Sequence, residues 1–499
     1  MIFNFNLPKK YWILFILLAI VLIGVFLRTY QATSRFDFAH DGDLYSWIVK
    51  DIVVNKHFRL IGQITSSEGI FIGPLFYYSL VPFFLLTNME PTGGIILMTL
   101  LSVATIFSFY FVFKKIFDET TGLIAALIQA VFLTRVLHDR WVVPTNTTSL
   151  WEVWYFYCIL MLARGNYTVF PILGFLIGTI WHVNFSEAPI LALIPLSIIL
   201  ARKIPKLKDL LKGLIGFIIP SIPLFLFEFK HNFIQSKSFI NSFLHDQGGG
   251  SGVEKLVHVL SEVNYNITGL FLYPFRGNYP YNMILAVSLL FLSFFLIKKK
   301  AFQKKDLFIF FTWVFLVTGF FSVSTKIISE YYFSNLDMIF LSIVIVGISV
   351  LFKYSKILKI ICLLFFIFLI IRNTLNIVNS KEYNHLGYTE RKEAVKFIKN
   401  DSIKKGYPCI GITYIAKFGD NVGFRYLFYL NDIKVIKSTK EIPVYNLVIP
   451  HDLVPKESEI HFGNIGLIPP TTIYSTKELK KACQGPNHNL VDPVLGFVD

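Results

Sequence analysis

Eleven apolar stretches punctuate the chain, near residues 11–30, 91–113, 120–137, 146–163, 168–185, 187–201, 211–228, 281–297, 307–324, 335–352 and 357–372. Each is of the order a helix needs to cross a hydrocarbon core of about 30 Å. With 54% hydrophobic, 17% aromatic and 16% charged residues in a chain of 499, the apolar surface exceeds what one soluble core buries. The expected fold class is a polytopic α-helical membrane protein.

The formal net charge of +15 would suggest a nucleic-acid partner in a soluble chain. Here the cations sit in short connections between apolar spans. Lys114 and Lys115, Arg164, the cluster Arg202, Lys203, Lys206 and Lys208, the run Lys298 to Lys300 with Lys304 and Lys305, and Lys353, Lys356 and Lys359 occupy alternate connections. All therefore fall on one side, as the positive-inside rule requires, and nucleic acid is discounted. Lys9 and Lys10 precede a long apolar run with no small-residue cleavage site after it, which reads as an uncleaved first helix with a cytoplasmic N-terminus.

The segment 71–86 would invert every later loop if it spanned the bilayer. It is expected to be an interfacial or re-entrant helix with Tyr77 and Tyr78 at headgroup level, an ordinary short span being the alternative. The outer face then carries the first loop (31–90), the turn His138–Asn146, the connection 229–280, the turn Ser324–Asn335 and everything from Asn373 on. HDQGGGSG in the long connection is linker chemistry, able either to close over a bound lipid or simply to connect. The tail, 373–499, changes composition: YTERKEAVKFIKNDSIKKG reads as a helix, and YPCIGITYIA, DIKVIK and YNLVIP read as strands, so a small extracytoplasmic α/β domain is expected.

Cys158 and Cys362 fall in spans and read as packing residues, whereas Cys409 and Cys483 share the outer domain, where an oxidising compartment would let them pair. The absence of CxxC, HExxH and P-loop motifs argues against structural zinc and nucleotide hydrolysis.

The chemistry concentrates in the first loop, where His40, Asp41, Gly42 and Asp43 read as a tight turn before the amphipathic LYSWIVKDIV. An aspartate just outside a helix is usually a solvated loop residue. Two close carboxylates can instead share a divalent ion or push their pKa values apart, so a base and a Mg²⁺ or Mn²⁺ site on Asp41 and Asp43 both stay open. Glu152, about two turns into its span, needs a partner that the sequence does not name.

The order of first helix, acidic first loop, amphipathic run and GIFIGPLFYY resembles the GT-C membrane glycosyltransferases, in the branch of protein O-mannosyltransferases and aminoarabinose transferases that use polyprenyl-phosphate sugars. RWVVPTN, GFLIGTIWHVNFSEAPILALIP, IPLFLFEFKHNF and SEYYFSNLDMIF extend the likeness over Tyr11 to Phe352. The resemblance implies a GT-C fold of about eleven transmembrane helices over 1–372, with its catalytic aspartate at Asp41 and Asp43 as the alternate. Arg140 matches the family's second-loop arginine, but Val143 stands before Pro144 where the family has Asn. Asp139 is either a second acidic group or the ion-pair partner of Arg140.

A sugar on a polyprenyl monophosphate already has a good leaving group, so the implied reaction needs cations on the phosphate and a base on the acceptor. Arg140, Lys326 and Arg276 are candidates for the phosphate, each with the commoner alternative of an interfacial anchor. His40, His182, Asn184, Glu187, Glu330 and Tyr331 are expected to line the cavity, with an interface belt as the other reading for the last two. The implied partners are a polyprenyl-phosphate-linked sugar donor, membrane lipid, and a protein, lipid or glycan acceptor. A transporter or flippase would instead show interrupted helices in two related halves, and a non-catalytic scaffold would leave Asp41 and Asp43 without a role.

Overall fold

A computed structural model of the chain describes residues 9–65, 69–244, 248–379, 386–417, 419–454, 460–472 and 474–490. Helix α1 (Lys9–Thr29) leads into a first connecting segment that carries α2 (His40–Val54) and α3 (Leu75–Leu86). The bundle continues with α4 (Gly93–Ile116), α5 (Glu119–Val131), α6 (Leu133–Asp139), α7 (Thr148–Ala163), α8 (Phe170–Val183), α9 (Leu193–Ala201) and α10 (Leu207–Lys230). After α11 (Ile234–Leu244) and α12 (Gly252–Leu272) it closes with α13 (Tyr281–Lys298), α14 (Lys304–Val323), α15 (Asp337–Tyr354) and α16 (Lys356–Asn379).

Every one of the eleven apolar stretches becomes helix. Among the described residues, seven helices are long and apolar enough to cross a membrane by themselves, namely α1, α4, α10, α13, α14, α15 and α16. The pair α5 and α6, bent by 61°, is a broken span or a re-entrant element, so the described residues hold seven or eight candidate spans where eleven are expected from the sequence. The bend has a visible cause. Phe132 is extended, and the carbonyls freed around it are taken by side chains from other helices: Arg28 donates to Gln129 O at 2.9 Å and Ala130 O at 2.8 Å, and Asn373 to Val131 O at 2.7 Å. A break inside a bilayer is tolerable only when such groups are satisfied by protein. The stretches 146–163, 168–185 and 187–201 form shorter helices extended by 3₁₀ turns. Helices α8 and α10 press together at glycines, where a Cβ on Gly174 would lie 1.9 Å from Gly213 O. Small residues at that crossing let the backbones touch, the usual basis of helix association in lipid.

The basic connections converge at one end of the bundle. Lys353 pairs with Asp118, Arg164 with Asp306 at 2.9 Å, and Lys305 donates to Ala163 O at 3.1 Å. The opposite end carries the first connecting segment. There α3, with 12 residues, is about 18 Å long, shorter than a hydrocarbon core of about 30 Å, and it packs on α2 and α4.

The tail folds as α17 (Tyr388–Lys404), β1 (Gly411–Ala416), α18 (Arg425–Leu430), β2 (Val444–Ile449), β3 (Ile460–Phe462), β4 (Ile465–Ile468) and α19 (Thr476–Ala482). Its four-stranded sheet has the order β1-β2-β4-β3, with β1 and β2 parallel and the rest antiparallel. Cys409 and Cys483 form a disulfide. The domain sits on the first connecting segment: Phe36, Phe38, Trp47 and Phe84 share one core with Tyr388 and Tyr426.

Four local expectations change. HDGD is not a turn but the first turn of α2, because the backbone continues helically through Gly42. The connection 229–280 contains α11 and α12, whose polar positions break the apolar run while Val253, Leu256, Val257 and Leu260 keep the helical spacing of one face. Part of the HDQGGGSG linker, 245–247, lies outside the described residues, yet Gly249 N–H is held by Thr325 O at 2.8 Å. DIKVIK forms no strand and makes only an isolated bridge, Ile410 to Val435, while HFGNIGLI supplies the hairpin of β3 and β4 around Gly463 at φ 55°.

Candidate active site

A cavity of about 900 Å³ opens where α2, the segment 63–72, α6, α7, α12 and the turn before α15 meet. Asp41 stands on its wall because it occupies the first turn of α2. It is half-buried, and its Oδ1 accepts a hydrogen bond from Gln63 Nε2 at 3.1 Å. His40 lines the cavity beside it. Two expected phosphate ligands reach the same space. Arg276 lies between aromatic faces, 5.5 Å from the Tyr265 ring centre and 5.0 Å from that of Tyr273. Lys326 stands 5.7 Å from the ring centre of Phe239, and burial lowers the pKa of its ammonium. Asn184, Glu330 and Tyr331 also line the cavity, Asn184 capping the following 3₁₀ turn through Ser186 N–H at 3.0 Å.

Five other expected residues are held elsewhere. Residues two apart on a helix point about 200° from one another, so Asp43 faces away from Asp41. Its Oδ1 accepts Tyr426 N–H at 2.9 Å in the C-terminal domain. Burial raises the Asp43 carboxyl from 3.8 to about 6, against the Tyr426 N–H and the Arg425 charge, which both favour the anion. Asp139 pairs not with Arg140 but with Arg28, at 2.8 Å, both side chains being buried. Arg140 donates to Leu27 O at 3.0 Å and Tyr30 O at 2.9 Å, closing the C-terminal end of α1. His182 accepts Leu75 N–H at 3.2 Å on Nδ1 and reaches Pro220 O at 2.9 Å through Nε2, bracing α3, α8 and α10. Glu187 is fully buried beside Asn335, off the cavity surface.

The cavity also holds charges that sequence reasoning passed over. Arg135 bridges Asp337 at 3.0 Å and Ser149 Oγ at 2.7 Å. Glu152, 1% exposed, is within electrostatic range of Arg135, Glu187 and Asp337, which supplies the neighbourhood it lacked in the sequence. The signal was present: Arg135 and Asp337 are charges inside predicted spans, and such residues mark functional interiors. Among the described residues, no three His, Cys, Asp or Glu side chains cluster as a metal would require. With Asp43 turned into the C-terminal domain, Asp41 and Asp43 do not face one site.

No protein-family model matches the sequence, and no curated protein matches it. Solved structures do. The crystal structure of ArnT from Cupriavidus metallidurans in the apo state aligns with a TM-score of 0.57 at 11% identity, covering 92% of this chain and 98% of that one. The same protein bound to undecaprenyl phosphate aligns at 0.55 with 10% identity, over 94% of this chain and 100% of that one. The apo oligosaccharyltransferase of Archaeoglobus fulgidus aligns at 0.54 with 12% identity, over 90% and 71%. These neighbours are glycosyltransferases, and at such identities the likeness is one of architecture. The chain is a multi-pass membrane protein with the GT-C fold that ArnT and the archaeal oligosaccharyltransferase share.

Proposed function

We propose that the chain transfers a sugar from a polyprenyl monophosphate to an acceptor hydroxyl at the outer face of the membrane. The observation that carries the reading is one cavity holding a half-buried carboxylate, Asp41, together with the cations Arg276 and Lys326. Asp41 is held by a neutral donor, Gln63, whereas Asp337 is neutralised by Arg135 and Glu152 is nearly sealed. Asp41 therefore suits a base that must meet an incoming hydroxyl.

The acceptor oxygen attacks the anomeric carbon while Asp41 takes its proton. The bond from that carbon to the phosphate oxygen breaks, and its electron pair stays on the phosphate, where Arg276 and Lys326 stabilise the added charge. A single displacement inverts the anomeric centre. Of the relatives, ArnT has been crystallised bound to undecaprenyl phosphate, and the carrier proposed here belongs to that class. The N-terminus and the basic loops are assigned to the cytoplasm by charge, which leaves the cavity and the C-terminal domain outside.

The test is incubation of the purified chain in lipid with a panel of labelled polyprenyl-phosphate sugars and membrane-extract acceptors, with NMR of the product linkage. The reading expects one donor class to be consumed with inversion at the anomeric carbon. Movement of intact donor across the bilayer, without cleavage, would instead make the protein a flippase.

A further inference from the structure

No residue lining the 900 Å³ cavity comes from beyond Asp337, so among the described residues the C-terminal domain contributes nothing to the cavity surface. Its route to the site runs through α2. Tyr426 N–H, in the first turn of α18, meets the Asp43 carboxylate at 2.9 Å, and Asp43 is 6% exposed. Gly423, at φ 83°, lies between Arg391 of its own domain and the residues that start α2: a Cβ there would stand 2.9 Å from Arg391 Nε, 3.0 Å from Phe38 O and 3.2 Å from Ala39 Cα. Tyr388 N–H donates to Phe36 O at 2.9 Å, and the Arg425 guanidinium sits 5.9 Å from the Trp47 ring centre. The contacts grip both sides of the turn that carries Asp41. By contrast, the Lys392–Glu90 pair at 2.7 Å ties the same domain to the approach to α4, away from α2.

We propose that the C-terminal domain is a clamp on α2: through Asp43 and Gly423 it fixes the first turn of that helix and so sets where the Asp41 carboxylate stands in the cavity. Asp43 is then a positioning residue and Asp41 the residue it positions, an assignment that rests on the transferase reading above. The physical need is plain. Helix α2 has no side-chain cap on its N-terminal N–H groups, and the first turn of a helix frays unless something holds it. A base displaced by about 1 Å can lose on the order of a hundredfold in rate.

Four variants of the full chain separate a clamp from simple stabilisation. Asp43→Ala removes the acceptor for Tyr426 N–H, Asp43→Asn keeps a carbonyl oxygen there, Gly423→Ala wedges the interface from the other side, and Lys392→Ala cuts the peripheral pair. The readouts are kcat, donor KM and amide exchange across α2. The clamp expects Asp43→Ala and Gly423→Ala to lose about tenfold or more in kcat, with donor KM within about twofold and faster exchange over residues 40–45. Asp43→Asn and Lys392→Ala should keep near-wild-type kcat. Unchanged kcat in folded Asp43→Ala, or Asp43→Asn as impaired as Asp43→Ala, overturns the clamp; if Asp43→Ala does not fold, Gly423→Ala decides alone. Should the wild type transfer nothing, the transferase reading fails separately, and exchange still judges the mechanical claim: unchanged exchange over α2 in the wedge variant overturns it.

Discussion

Two arginines show how differently this molecule uses the same side chain. Arg28, where α1 crosses α5 and α6, is 2% exposed and fully engaged, donating to the Asp139 carboxylate and to the carbonyls of Gly24, Gln129 and Ala130. Arg276, on the cavity wall, is packed between tyrosine faces, and its Nε has no hydrogen-bond partner among the described residues. The first is spent on closing a helix break inside the membrane. The second keeps hydrogen-bonding capacity in hand, which costs stability and is useful only if a ligand uses it. Frame residues should therefore report as stability and cavity residues as activity.

The largest effect should come from the frame. Asp139→Ala leaves Arg28 buried without its counter-charge and should cost about 3–5 kcal/mol, read as a lowered thermal midpoint in detergent. Transfer per folded molecule should stay within about threefold. A specific loss of kcat at unchanged stability would return Asp139 to the site.

The disulfide belongs to the frame of the C-terminal domain. Cys409 and Cys483 close a segment 74 residues long, and replacing both with serine should destabilise that domain by about 4 kcal/mol on loop-closure grounds. Protease sensitivity confined to the region after Asn379 is the check. If the clamp on α2 is right, kcat falls as the domain loosens.

Asp43 crosses the divide and gives the comparison a pH axis. Its carboxyl is raised from 3.8 to about 6 in the folded chain, so its contribution to stability is fully present below pH 4 and is lost as pH rises through 6. Asp43→Asn, which carries no such cost, should be more stable than wild type at pH 7 to 8 by on the order of 2 kcal/mol. The difference should vanish near pH 4, and paired thermal scans across that window decide it. Asp43→Asn less stable than wild type at pH 7 to 8, by a deficit that closes towards pH 4, would instead mean that Asp43 is stabilised as the anion.

The smallest effects belong to the cations. Arg276→Ala or Lys326→Ala should each raise donor KM or lower kcat/KM about tenfold, near 1.4 kcal/mol, with little change in thermal midpoint. Destabilisation at unchanged kinetics would make them interfacial anchors.

Much of this was legible from residues alone, and the failures share a cause. Apolar length placed the helices of the eleven apolar stretches, because that signal is local and additive, but it passed over α11 and α12, whose polar positions interrupt it. The alternation in GITYIA and YNLVIP found β1 and β2 for the same reason. DIKVIK carries a similar pattern, yet only Val435 finds a pairing partner. The site residues needed directions that spacing does not encode. Asp41 and Asp43 read as a pair until the helix through Gly42 turned them apart, and Arg140 beside Asp139 read as an ion pair until the end of α1 claimed the arginine. Arg28, 111 residues from Asp139 in sequence, could not have been matched to it by local pattern. Arg135 and Asp337 were visible as charges in apolar spans, a signal that marks where to look without saying which way each side chain points.

The central claim is that Asp41 is the base of a sugar transfer in this cavity. Its most direct test is transfer of labelled sugar from polyprenyl-phosphate donors by wild type and Asp41→Asn, matched for folded protein. The account predicts transfer by the wild type and a loss of about 10²–10⁴-fold in the variant, with a thermal midpoint equal to or above that of the wild type. Equal transfer by the two proteins would contradict it.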